Sequence, residues 1–167
     1  MNEEELKVLI QPVIEGCTIT GIEDYGDIFA IHFVNNLYYE SKRIEDMEVG
    51  AGPIIYIKST GEIIETGSGR SAELYVRAYR ECGDVYGRPS ENIKIQNIDK
   101  DIDKKKAILE LKSVLGIGLR ESKELVSLVS NKGTAIITLS SESDAEMAVN
   151  KLGNLGFKVK QILRPMR

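Results

Sequence analysis

The sequence predicts an α+β protein built as two small domains, and three observations carry that expectation. Apolar residues switch repeatedly between helical and alternating spacing along the chain. The stretch GDVYGRPS (83–90) puts two glycines and a proline into eight residues, the signature of a domain boundary. The charge also reverses across that break. Residues 1–90 carry 8 basic and 16 acidic side chains, a balance of −8, whereas residues 91–167 carry 14 basic and 10 acidic, a balance of +4. Opposite signs argue for two modules with different surfaces, a first domain over 1–85 and a second over 91–167.

The first domain reads as a helix, an antiparallel meander of about four strands, and a second helix. Residues 3–15 place Leu6, Leu9, Ile10, Val13 and Ile14 on one apolar stripe, with Pro12 a kink or early end. Glu3, Glu4 and Glu5 at its start suit the positive end of the helix dipole. A strand begins at Thr18, and residues 24–27 carry turn residues including Gly26. Residues 28–39 then alternate, with Phe29, Ile31 and Phe33 on one face and a bulge or turn signal at Asn35-Asn36. A polar connection at 40–52 leads to a third strand at 53–58, a turn at 59–62 and a fourth strand at 63–66. The turn GSGR (67–70) enters a helix over 71–82, with Ser71 as a candidate N-cap and Leu74, Tyr75, Ala78 and Tyr79 as its buried stripe.

The second domain reads as β-α-α-β-α-β. A strand over 91–98 carries Ile93, Ile95 and Ile98. The segment ILELKSVLGIGLRESKELVSLVSN (108–131) is two amphipathic helices joined at Gly116-Ile117-Gly118, where the first helix needs a left-handed cap. A strand at 134–139 follows, then a helix at 141–155 with Ala145, Ala148, Val149 and Leu152 inward, and a closing strand at 157–162.

Composition limits the function classes. At 42% hydrophobic and 29% charged residues the chain is ordinarily globular, without low-complexity tracts. No apolar run approaches the ~20 residues that span a bilayer, and MNEEELK lacks the order of a signal peptide, so a cytoplasmic protein without a membrane partner is expected. Cys17 and Cys82 have neither CxxC spacing nor a nearby histidine, which predicts two semi-buried thiols and no zinc site or disulfide. The acidic first domain is ill suited to nucleic acid, because phosphate contacts need Lys and Arg.

The chemical inventory is thin, and no metal or cofactor is expected. His32 lies within an alternating strand, with no nucleophile or carboxylate at motif distance, and reads as a satisfied or solvent-facing strand residue. Gly67, Gly69 and Arg70 before a helix form the one stretch like an anion cradle, although a strand-to-helix turn needs glycine on backbone grounds alone. The mixed-sign run DKDIDKKK (99–106) is a solvated helix entry or part of a partner surface. The acids Glu23, Asp24, Asp27, Glu40, Glu45, Asp46 and Glu48 are either solvated loop residues or a field that steers a basic partner.

Two resemblances add to this reading. In GPIIYIKSTGEIIETGSGRSAELYVRAYRE (52–81), Lys58, Thr60, Gly61, Gly67, Ser68, Ser71 and Glu73 fall where a family of bacterial polymorphic-toxin immunity proteins, immunity protein thirty-five, has its strand-turn-strand-turn-helix pattern. The resemblance covers about residues 1–85 and implies a cystatin-like fold and a protein that neutralises a cognate toxin without catalysis. The string GIGLRESKELV (116–126) resembles the C-terminal domain of the bacterial ribosomal stalk protein, and the likeness extends over about residues 92–163. There the first two helices present an apolar and basic surface to translational GTPases. By position that implies Lys104, Ile108, Lys112, Gly118 and Lys123, while Lys105 and Leu109 depart from the family pattern.

The expectation is therefore a non-enzymatic binding protein that blocks a toxin through a protein–protein interface, with Tyr38, Tyr39 or Tyr56 as aromatic anchors. The alternative is a translation-associated factor that touches a ribosomal GTPase through the second domain. An enzyme with an anion pocket at 67–70 lacks a general base. The sequence leaves the oligomeric state open.

Overall fold

A computed structural model describes residues 2–99 and 102–166. It is a mixture of helices and sheets, as the α+β expectation has it. The chain divides into two compact units between Arg80 and Glu81, slightly ahead of the glycine-rich stretch where the sequence places the break.

The first unit opens with α1 (Glu3–Ile10). Its start is a capping box: Asn2 Oδ1 accepts the Glu5 N–H (2.9 Å), and the Asn2 N–H donates to the Glu5 carboxylate (3.0 Å). The helix ends at Ile10, just before Pro12, so it is shorter than the 3–15 expected. Leu6, Ile10 and Ile14 are buried, each contributing roughly 1.5–3 kcal/mol of hydrophobic stabilisation, while Leu9 and Val13 are exposed. The predicted five-residue stripe thus narrows to three.

Four antiparallel strands follow in the order β1-β2-β3-β4: β1 (Cys17–Asp24), β2 (Ile28–Asn35), β3 (Ala51–Ile57) and β4 (Glu62–Gly67). Leu6, Ile10 and Ile14 pack with Phe29, Ile31, Ile54 and Tyr56 on one face of the sheet. Tyr56, an anchor candidate, is therefore a core residue. Helix α3 (Ala72–Cys82) buries Ala72, Tyr75, Val76 and Ala78, while Leu74 is exposed. Val76, outside the expected stripe, is buried, whereas Leu74 within it is not. The α3 helix is tied to the sheet by Tyr75 Oη, which donates to the Gly67 carbonyl (2.7 Å).

Strand β2 stops at Asn35 rather than continuing to residue 39. Asn35 Oδ1 accepts the Tyr38 N–H (2.7 Å) and caps a short helix α2 (Asn36–Ser41), while Asn35 Nδ2 donates to the Asp46 carbonyl (2.9 Å). The cap overrides the alternating pattern of Leu37 and Tyr39. The connection to β3 then includes a 3₁₀ turn at Ile44–Asp46.

In the second unit the elements run β5 (Arg88–Ile98), α4 (Lys104–Leu115), α5 (Leu119–Lys132), β6 (Ala135–Thr138), α6 (Glu142–Asn154) and β7 (Phe157–Arg164). The antiparallel sheet has the order β6-β5-β7. Its core joins Ile93 and Ile95 of the central strand to Leu111, Val126, Ala145, Leu152 and Phe157. Gly116 caps α4 in the left-handed conformation (φ 67°), and α5 begins at once, with Ser122 Oγ donating back to the Gly118 carbonyl (2.9 Å). Strand β5 starts three residues earlier than expected. Pro89 is tolerated there because pairing with β6 ends at Asn92 and a bulge separates Pro89 from Ile93. Lys100 and Asp101 of the mixed-charge run lie outside the described residues.

One contact fixes the β3–β4 register. Between Ala51 and Ile54 the β3 strand carries an extra residue, and a Cβ on Gly52 would lie 2.1 Å from the Gly67 carbonyl oxygen. Gly52→Ala is expected to destabilise the fold by about 2 kcal/mol or more. Gly69→Ala, which meets no atom within 4 Å, should shift stability by less than about 0.5 kcal/mol. Urea denaturation followed by circular dichroism compares the two.

Candidate functional site

The predicted anion turn is largely used by the fold itself. The Gly67 carbonyl accepts from Tyr75 and abuts Gly52, and the Ser68 N–H donates to the Gly50 carbonyl (3.0 Å). Gly69 is exposed, and Arg70 is half-buried. What the turn does supply is one wall of an open cleft of about 430 Å³, where Ser68, Arg70 and Glu73 face Glu23, Tyr25 and His32.

The opposite wall is a hydrogen-bonded trio. Glu23, on β1, accepts from the Tyr25 hydroxyl and lies 3.1 Å from His32 Nε2, on β2. The tyrosine hydrogen bond holds the Glu23 carboxyl below its ordinary range, with the charge of His32 adding to the effect. The same bond, then burial, pushes Tyr25 up to about 12. At neutral pH the phenol keeps its proton and spends it on Glu23, which in turn orients His32. The three groups satisfy one another and join the two strands beside the bulge at Gly21. Sequence spacing hides this trio, because a hairpin turn and a bulge bring Glu23 to His32. Nearby, Asp24 accepts from Lys58 and Asp27 from Arg80, and these partners hold both carboxyls below the usual range.

A second surface lies along the α2–β3 connection. Leu37 is 60% exposed, Ile44 84% and Val49 87%, with Tyr39 and Met47 about half exposed. Acids sit among them: Glu40, Glu45 and Glu48 are exposed, while Asp46 is tied to Ser41 and Arg43. Lys42 stacks over Tyr39, 4.1 Å from the ring centre. Tyr38, half-buried with its N–H in the Asn35 cap, belongs to the fold more than to this surface. The sequence's acidic set is thus split. Glu23, Asp24 and Asp27 are engaged at the β1–β2 turn, Glu45 and Asp46 pair with Arg43, and Glu40 and Glu48 stand among exposed apolar side chains.

A groove of about 240 Å³ continues from this surface. Phe33, Ala51 and Ile54 line it beside Val13, and Glu15, Glu48 and Glu65 stand around it. The groove and the larger cleft share Phe33, Ala51 and Gly52. Burial, and after it the charge of Glu48, pushes the Cys17 thiol up. Its acids come from three separate places in the chain, so no local motif announces them.

In the second unit Lys104, Ile108 and Lys112 recur every four residues along one stripe of α4, and Gly118 and Lys123 lie at the start and middle of α5. The lysines and Gly118 are exposed, whereas Ile108 is half-buried against the core. None of the five lines the groove of about 370 Å³ that runs beside Val114, Leu139 and Met147.

Among the described residues, no group of three or more His, Cys, Asp or Glu side chains is placed to hold a metal ion, and no helix is long and apolar enough to cross a membrane. Comparison with family models, with curated proteins and with solved structures yields no match.

The trio and its neighbours set the pH response of the first unit. Carboxyls held below their ordinary range stabilise the folded state fully above that range, and the effect is lost as pH falls through the depressed values. Asp24→Asn and Asp27→Asn should therefore flatten the acid limb of the stability curve. Tyr25 runs the other way: its neutral form is favoured on folding, a stabilisation complete below pH 10 and lost as pH rises towards 12. Ultraviolet titration should show one of the seven tyrosines ionising near 12. Glu23→Gln should bring it down.

Proposed function

We propose that the chain is a non-enzymatic binding protein that neutralises a cognate bacterial toxin by protein–protein contact, as the resemblance of residues 1–85 to immunity proteins implies. The observation that carries the reading is the α2–β3 connection. Leu37, Tyr39, Ile44, Met47 and Val49 all expose large apolar side chains within thirteen residues. An exposed apolar patch rimmed by charge is the usual mark of a protein interaction site. A blocking interface needs about 1,200–2,000 Å² in total and a few well-buried anchors, with no catalytic group. Glu40 and Glu48, exposed beside the Glu45–Arg43 ion pair, favour a basic partner and speed its encounter.

A second reading rests on α4. Lys104, Lys112 and Lys123 are exposed beside the half-buried Ile108, the positions that the stalk-protein resemblance implies for GTPase contact, while Lys105 and the exposed Leu109 depart from its pattern. On that reading the second unit, not the first, makes the functional contact.

Co-expression with a toxin-like protein encoded beside this gene separates the two. The unaltered chain is expected to restore growth, and Ile44→Asp with Val49→Asp to abolish protection by weakening binding about 100-fold or more. Both sites are exposed, so the fold should persist by circular dichroism. Lys112→Glu with Lys123→Glu should leave protection intact. Protection that survives the first pair sinks the reading. Co-purification with ribosomes or elongation factors, lost in the lysine pair, would establish the alternative.

A further inference from the structure

We infer that the groove beyond the end of α1 is a docking slot for a single lysine or arginine side chain of the protein partner, an inference that rests on the protein-binding reading above. Its floor is apolar. Phe33, Ala51 and Ile54 come from β2 and β3, and Val13 closes one side where α1 has ended. Its rim is acidic: Glu15, Glu48 and Glu65 approach from the α1–β1 turn, the entry to β3, and β4. Among the described residues, no basic side chain lines it.

An apolar floor with an anionic rim matches one class of ligand group. Lysine and arginine lay an aliphatic stem along apolar surface and carry a cationic head beyond it. The exposed carboxylates of Glu15 and Glu48 meet the head while Phe33, Ala51 and Val13 flank the stem. A bare cation fits less well, since these carboxylates are not grouped to hold a metal. A second copy of the chain would bring the same acidic rim against itself. Anionic lipid and nucleic acid meet the same repulsion.

Continuity with the exposed apolar segment adds a further argument. Glu48 belongs to the rim, while its chain neighbours Met47 and Val49 expose their side chains. A partner seated on Met47 and Val49 therefore meets, in Glu48 between them, a residue of the groove rim. Cys17, half-buried, lines the groove together with Glu48.

The test uses the full chain, labelled with nitrogen-15, and the synthetic peptide acetyl-Gly-Leu-Arg-Leu-Gly-amide. A citrulline version keeps the stem and hydrogen bonding but removes the charge. Saturable shifts are expected at the amides of Cys17, Phe33 and Ala51, with the arginine peptide binding about fivefold tighter than the citrulline one and the gap closing at high salt. Glu15→Gln with Glu48→Gln, both exposed and safe for the fold, should reduce arginine binding to the citrulline level. Equal binding of the two peptides, no saturable shift, or shifts centred elsewhere would each overturn the slot. So would loss of these amide signals with protein concentration alone, which assigns the face to a second copy, or with anionic phosphatidylserine vesicles. If the Ile44 and Val49 variants lose protection but the glutamine pair keeps it, the slot falls and the binding reading stands. If arginine binding is charge-dependent but Ile44 and Val49 are dispensable for protection, the reading falls and the slot stands.

Discussion

The approach of β3 to β4 at Gly52 is the constraint on which the surfaces of the first unit depend. The extra residue in β3 between Ala51 and Ile54 brings the backbone of Gly52 against the Gly67 carbonyl, closer than any side chain allows. Two hydrogen bonds lock the arrangement. Thr66 Oγ1 donates to the Pro53 carbonyl (2.6 Å), and Tyr75 Oη reaches the Gly67 carbonyl from α3. The register shifts here, with pairing resumed at Ala51 and Gly67, and both concavities include Ala51 and Gly52 in their lining.

The second determinant is the length of α1. Eight residues cover Phe29, Ile31, Ile54 and Tyr56, and the capping box and Pro12 fix where that cover starts and ends. Beyond Ile10 the cover passes to the turn at residues 11–16, whose Ile14 packs in the same core. Val13 and Glu15 of that turn line the groove together with the half-buried Phe33. A helix stop signal therefore shapes a surface feature through the turn that follows it.

Much of this architecture is legible in the chain. The element order of the second unit follows from Gly116 and Gly118, whose backbone roles allow little else between two amphipathic runs. The strand periods of Ile54 to Ile57 and Ile93 to Ile95 are equally plain. The errors share a physical source. Asn35 looks like a bulge within a strand, but its side chain finds the Tyr38 N–H and starts α2, a competition that alternation alone does not reveal. Leu9, Val13 and Leu74 are apolar and near the right phase, yet exposed, because the buried stripes of α1 and α3 are narrower than their apolar sequence. The candidate sites were the least legible. Arg70 does face a cleft, but Glu23, Tyr25 and His32 opposite it meet only through strand pairing. The groove takes its acids from positions 15, 48 and 65, and no spacing rule joins them.

Local satisfaction separates the structural charges from those open to a partner. Glu23, Asp24 and Asp27 each hold a defined neighbour, and the carboxyls are held below their ordinary range by those bonds rather than by a waiting ligand. The α2–β3 connection differs. Its backbone is well anchored by Asn35 and by the Ser41–Asp46–Arg43 contacts, while Ile44 and Val49 point outward with no apolar cover. A chain that fixes the backbone of a segment and leaves its apolar side chains in water keeps a hydration cost that folding could have removed. Rigid presentation of that kind lowers the entropy lost on association. That is what a preformed binding surface requires, and it is why the proposed function rests on residues 37–49.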